Sequence, residues 1–355
     1  MQQFKITMNS DFFDDKDDSM DLSSALNLFM DAYKSNQLDS LSFSEEEFEY
    51  IIDNLIEQNI DEAVLLASKI AFEKYPYSSQ FFIRYCDSLI LANEPSAALK
   101  LLDEYKGIFS DSGQILFLYA RAYLFLNDFD KANEFYHLAV SEEKIDNQTR
   151  DSIYALAQDC IEVQNFIQAI YYFKEIEARY GLTFEFYNDL AFCYDKMENP
   201  EKSIECYNKY LDADPFNDNV WFNIGTVQAR TKDFDKAIES FEYSIALNPA
   251  NSSSLYNLGV VYMNLQRYKE ASEVFESFMK VDDDPLARFA LSESYLFLGL
   301  PDKAKMLLMR VLEEEPLSAE EKNNRLQAIE SLISSYPVLA QDSEFVEFVK
   351  KFNKL

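Results

Sequence analysis

Histidine occurs once in the 355 residues, cysteine four times, glycine six times and proline nine times. His137 alone leaves a nucleophile-histidine arrangement one candidate base and cannot build a histidine-based zinc set. The six glycines form no paired-glycine loop, so a P-loop and a dinucleotide fingerprint are both missing. Cys86, Cys160, Cys193 and Cys206 show no CxxC spacing and fall where small or buried helical residues are expected, which predicts free buried thiols rather than disulfides or a metal site. Catalysis, cofactors and bound metals are therefore not expected. Scarce glycine and proline also argue against an all-β chain.

Long apolar runs are missing too. No stretch approaches the roughly 18 apolar residues of a membrane helix. The opening MQQFKITMNSDFFDDKDD lacks a basic-then-apolar leader. The expectation is a cytoplasmic protein without direct membrane insertion. Positive charge is short: 32 basic residues stand against 63 acidic ones, a net charge of −31. Such a field disfavours nucleic acid and anionic lipid, and it suits either simple solubility or a basic partner. The run Asp14-Asp15-Lys16-Asp17-Asp18 has neither the glycine nor the bidentate glutamate of a calcium loop, and residues 1–21 read as an acidic, disordered leader.

What the sequence does contain is a period. Val64, Ala98, Ala132, Ala169, Ser203, Ala237, Ala271 and Ala304 are spaced 34, 34, 37, 34, 34, 34 and 33 residues apart. Twelve residues before each stand Ile52, Cys86, Ala120, Ala157, Ala191, Gly225, Gly259 and Ser292. Small residues at two fixed offsets mean that two helices approach closely, repeatedly. Four residues after the later column comes a large apolar residue, Leu102, Tyr136, Phe173, Tyr207, Phe241, Phe275 and Leu308, with Ser68 as the exception. Four before the earlier column stand Phe48, Phe82, Leu116, Ile153, Tyr187, Trp221 and Leu255, with Arg288 as the misfit. These spacings put each set on one stripe of a helix.

Punctuation follows the same register. Pro95, Pro200 and Pro301 sit where a second helix would begin, and Pro76, Pro215, Pro249 and Pro316 where one would stop. Ser44 and Glu47 form a capping-box pair, with Phe43 and Phe48 as its hydrophobic staple. The 37-residue interval predicts a longer loop around 141–149.

Trp221-Phe222-Asn223-Ile224-Gly225 with Ala237, Phe241 and Pro249, and then Leu255-Tyr256-Asn257-Leu258-Gly259 with Tyr262, Ala271 and Phe275, resemble the tetratricopeptide repeat. The resemblance extends over eight repeats beginning near Glu45, Ser79, Gly113, Arg150, Phe184, Asp218, Ser252 and Pro285. It implies an all-α, right-handed superhelical solenoid of about eight stacked helix-turn-helix repeats over 45–317. Helical caps are expected at 22–44, where Leu22, Leu26, Phe29 and Tyr33 share a stripe, and at 318–355, where Phe345, Phe348, Val349 and Phe352 do. The last helix is expected to cover the array's end, with docking into a groove or a second copy as the alternative.

The resemblance also implies where other molecules bind, on the inner face lined by the first helix of each repeat. The residues it places there are Phe117, Arg121, Leu124, Phe125, Tyr154, Gln158, Ile161, Asn188, Phe192 and Lys196, then Phe222, Arg230, Tyr256, Met263, Asn264, Phe289, Leu296 and Phe297. Aromatic rings in a groove suit an extended peptide or an amphipathic helix, although the same rings could pack between repeats. Arg121, Lys196 and Arg230 are isolated, unlike the cation cluster with which some relatives clamp a C-terminal carboxylate. The expected function is a non-catalytic scaffold or adaptor for a protein or peptide partner, hydrophobic and basic in character. The alternatives are a regulatory subunit and an intracellular peptide sensor acting through a separate effector.

Overall fold

A computed structural model describes residues 15–35, 37–38, 42–109, 112–142, 147–181, 183–313 and 318–352, and no strand occurs among them. The chain divides into two compact units, 1–181 and 182–355. In the first unit, α1 (Asp15–Ser35) precedes four hairpins: α2 (Glu45–Glu57) with α3 (Asp61–Lys74), α4 (Ser79–Leu91) with α5 (Pro95–Tyr105), α6 (Gly113–Phe125) with α7 (Phe129–Glu142), and α8 (Asn147–Glu162) with α9 (Phe166–Tyr180). The second unit holds α10 (Phe184–Lys196) with α11 (Pro200–Ala213), α12 (Asp218–Arg230) with α13 (Phe234–Leu247), α14 (Ser252–Asn264) with α15 (Tyr268–Phe278), and α16 (Pro285–Phe297) with α17 (Pro301–Glu313). Three more helices close it: α18 (Ala319–Ser335), α19 (Pro337–Ala340) and α20 (Ser343–Phe352). Each unit is thus an all-helical stack of four helix-turn-helix repeats, with α1 before the first stack and α18–α20 after the second.

Seven of the eight first helices are 13 residues long and start where the period places them; α8 has 16 and starts at Asn147 rather than Arg150. The three residues added by the 37-residue interval therefore lengthen a helix. Expectation and structure differ here: Ser141 and Glu142 belong to α7, Asn147–Thr149 to α8, and only 143–146 lie outside the described residues. Thr149 is buried, which anchors the added turn.

Small and large columns face each other inside the hairpins α12–α13 and α14–α15. A Cβ added to Gly225 would lie 2.8 Å from the Phe241 ring, and one added to Gly259 would lie 2.6 Å from that of Phe275. Both rings are fully buried, so the glycine on the first helix is what admits the ring of the second. In the first repeat the sizes are exchanged: Ile52 stands in the small column, Ser68 in the large one, and both are buried. Arg288, the misfit, is 2% exposed. Its stem occupies the apolar column while Nε donates to Asp283 Oδ1 at 2.6 Å and Nη2 to the Asp283 carbonyl at 2.9 Å.

The turn within every hairpin has one geometry. Asn59, Asn93, Asn127, Gln164, Glu198, Lys232, Gln266 and Gly299 all have positive φ, between 54° and 70°. The residue after each donates its N–H to the carbonyl five positions back, as in Ile60 to Leu55 at 3.1 Å and Leu300 to Tyr295 at 2.8 Å. This is a left-handed helix stop that satisfies the last free carbonyls of the first helix. Pro95, Pro200 and Pro301 then open α5, α11 and α17. Between repeats, Asn217 and Asn251 cap α12 and α14 through the N–H groups of Val220 and Ser254. Ser44 and Glu47 form the expected capping box, and Phe43 packs edge-on to Phe48 at 5.4 Å. Pro316 lies outside the described residues.

At the N-terminal end, α1 begins at Asp15, inside the stretch read as a leader; residues 1–14 are outside the described ones. Its buried side chains are Ala25, Phe29 and Ala32, with Leu22, Leu26 and Tyr33 flanking them. At the C-terminal end, Phe345 and Val349 of α20 are buried, and Asp342 just before it pairs with Lys305 of α17 at 2.5 Å. Phe348 and Phe352, the other two residues of the stripe, are half-buried against the same core.

Candidate functional site

First helices of consecutive repeats touch each other directly, α4 with α6 and α6 with α8 in one unit, α12 with α14 and α14 with α16 in the other. Helices that approach closely lie on the inside of a stack's curve, so the first helices form the inner face of each unit.

In the first unit this face is laced by ion pairs between neighbouring helices. Arg84 of α4 meets Asp53 of α2 at 2.7 Å. Arg121 of α6 pairs with Asp87 of α4 and, through Nε at 2.5 Å, with Asp159 of α8. Burial opposes the charge on Arg121, but the carboxylates of Asp87 and Asp159 outweigh it and raise its pKa. Arg121 is thus held from both sides and is a strut between repeats. Phe117, only 4% exposed, and Leu124, fully buried, are core rather than groove, because their side of α6 faces α7 and α8. Phe125 packs partly into the core cluster.

Four of the expected residues do come together. Tyr154, Gln158 and Ile161 of α8 line an open recess of 490 Å³ with Leu91 of α4 and Arg121. Gln158 donates to the Tyr154 hydroxyl at 2.6 Å. Leu91 is 52% exposed, and Asp151, Asp159 and Glu162 also border the recess, so an apolar floor meets acidic walls.

In the second unit, Arg230 of α12 pairs with Asp195 of α10, and its Nη1 also donates to the Asp195 carbonyl at 3.3 Å. Lys196 lies over the Phe192 ring at 5.1 Å, and Phe192 is 36% exposed. Asn188 donates to Asp189, and Asn264 to the Val260 carbonyl of its own helix. Phe222 leans on Phe241 with centroids 6.1 Å apart; Tyr256 meets Phe275 at 5.9 Å and Phe278 at 6.0 Å. These two rings and Phe289 are half-buried, each with one face in the core. Leu296 is buried, and Met263 accepts from Ser294 at 3.0 Å. Phe297 is 45% exposed and stacks on Tyr268 with centroids 4.0 Å apart.

The acidic partners Asp53, Asp87, Asp159 and Asp195 were not legible in the sequence. Carboxylates are so frequent that none stood out, although the one-repeat spacing of Asp87 from Arg121 was there to be found. The four cysteines are all buried; desolvation pushes the Cys193 thiol up to about 12, far from a reactive thiolate. Among the described residues no helix is long and apolar enough to cross a membrane.

Comparison with known proteins places this architecture. Residues 113–144, 188–252 and 228–288 each match the tetratricopeptide repeat. No curated protein matches the sequence. Among solved structures, the C-terminal part of a TPR repeat-containing protein from Cytophaga hutchinsonii is 16% identical, with 68% of this chain and 98% of that one covered and a TM-score of 0.54. MamA from Desulfovibrio magneticus is also 16% identical, over 48% of this chain and 96% of that one, with a TM-score of 0.44. With the Cytophaga hutchinsonii protein, at that identity, it is the fold that is shared. The repeat matches and the helical hairpins agree: residues 113–144 and 188–288 carry tetratricopeptide repeats, the architecture of a protein-interaction scaffold.

Proposed function

We propose that this chain is a non-catalytic adaptor whose inner face holds an extended peptide or a partner helix of apolar and basic character. The observation that carries the reading is the state of the inner-face arginines. Arg84, Arg121 and Arg230 are each paired with an aspartate of the preceding repeat's first helix. These three guanidinium groups are thereby occupied and Lys196 lies over the Phe192 ring, while apolar side chains and acids border open space: Leu91, Tyr154 and Ile161 beside Asp151 and Glu162, and Phe192 and Phe297 in the second unit. Apolar surface framed by carboxylates favours a partner segment whose Lys or Arg stems lie along the rings.

Selection of phage-displayed random dodecamers on the full chain tests this. Enriched peptides should combine aromatic or aliphatic residues with Lys or Arg, and should lose at least about tenfold in affinity for a chain carrying Leu91→Asp and Phe192→Asp. Peptides rich in Asp or Glu, or binding indifferent to both substitutions, would contradict it.

A further inference from the structure

Glu293 stands apart from the other charged groups of the inner face. It lies on α16 between Phe289 and Phe297, one turn from each, so all three share a stripe. The side chain is half-buried, yet it makes no hydrogen bond and no ion pair among the described residues. Asp53, Asp87, Asp159 and Asp195 each have an arginine; Glu293 has none. Next to it the rings form a corner. Phe297 stacks on Tyr268, and Tyr336 closes the side at 5.7 Å with its plane 88° from that of Phe297. Phe297 remains 45% exposed despite both contacts.

We infer that Glu293, with the ring corner of Phe297, Tyr268 and Tyr336, receives a lysine or arginine side chain of the bound partner. This rests on the inner-face reading above and specifies its anchor in the second unit. A carboxylate partly withdrawn from water without a partner costs some free energy in the unbound protein, and an incoming cation recovers it. Desolvation holds the Glu293 carboxyl above the ordinary range in the free chain, and a bound cation acts in the opposite direction. The exposed Phe297 face supplies the surface along which the aliphatic stem or a guanidinium plane lies. Complementarity of charge commits the site to a cation: a second acidic group here would meet Glu293 directly.

The test is a double-mutant cycle on the full chain. The probes are the strongest dodecamer from the phage selection and the same peptide with each Lys or Arg replaced in turn by Gln. Against the parent, one replacement is expected to weaken binding roughly tenfold; against Glu293→Gln the same replacement should cost less than about twofold. Glu293→Gln removes a desolvated charge and keeps the shape, so its melting temperature should equal or exceed the parent's. If every replacement costs the same in both proteins, Glu293 is not the anchor, while the groove reading stands. Selected peptides without any basic residue would also overturn the assignment and point to an apolar segment. If no peptide is enriched, or binding ignores Leu91→Asp with Phe192→Asp, the inner-face reading fails, and this inference with it.

Discussion

Gly259 and Phe275 occupy one volume: a methyl group on the first would stand 2.6 Å from Cε1 and Cζ of the second. Gly225 and Phe241 repeat the relationship one period earlier at 2.8 Å. In an isolated helix, Gly→Ala gains about 0.8–1 kcal/mol. Here the buried ring has nowhere to go, and overpacking costs about 1–3 kcal/mol. Gly259→Ala should therefore destabilise the protein by about 1 kcal/mol net, read as a lower denaturant midpoint. A Gly259→Ala, Phe275→Leu double variant should recover part of the loss.

The left-handed turn column makes the opposite prediction. A non-glycine residue there costs roughly 1 kcal/mol, and seven of eight repeats accept that cost. Lys232→Gly should raise the thermal midpoint, by less than the full steric gain because glycine also frees the unfolded chain. Gly299→Ala should lower it. Unchanged melting in both variants would mean that these turns relax out of the left-handed region.

Arg121 is a strut, so its loss should be felt in stability before binding. Arg121→Ala leaves Asp159 buried without its cation, an expected cost of about 3–5 kcal/mol. Arg121→Met with Asp159→Leu should recover most of it, because apolar side chains of similar size replace a buried pair well. Circular dichroism melts of the three proteins decide the point.

The C-terminal helix should come loose in acid. The Lys305 hydrogen bond, and then the Phe345 amide, hold Asp342 below its ordinary 3.8. A depressed folded pKa means that the contribution is complete above the unfolded value and is lost as pH falls through the folded one. Lys305, raised by Asp302 and Asp342, keeps its side of the pair until well into alkali. Val349 methyl shifts should therefore hold steady near about pH 6 and move only as the pH falls below the ordinary carboxyl value of 3.8, and Asp342→Asn should show the acid position already at about pH 6.

How far the sequence reached depends on what each column demanded. Gly225, Gly259 and the alanines were legible because only small residues admit a ring at that distance. The left-handed column was not, since Gln164, Glu198, Lys232 and Gln266 share a backbone angle and no side-chain property. The Ile52 and Ser68 exchange kept total volume and so broke both columns while preserving the packing. Phe117 and Leu296 carry the offset of groove residues, but their exposure depends on how neighbouring helices roll, which spacing alone does not fix. Arg121 was found as an inner-face residue and its two aspartates were not, so a strut first read as a binding cation.

Which face holds the partner is the central claim, and site-specific photo-crosslinking tests it most directly. A benzophenone side chain would replace Leu91, Phe192 or Phe297 on the inner face, and Tyr77, Phe216 or Tyr243 elsewhere, one position per protein in intact cells. The account predicts discrete adducts from inner-face positions of at least one unit, Leu91 in the first or Phe192 and Phe297 in the second, and none from the others. The same adducts from Tyr77, Phe216 or Tyr243, with the inner positions silent, would contradict it.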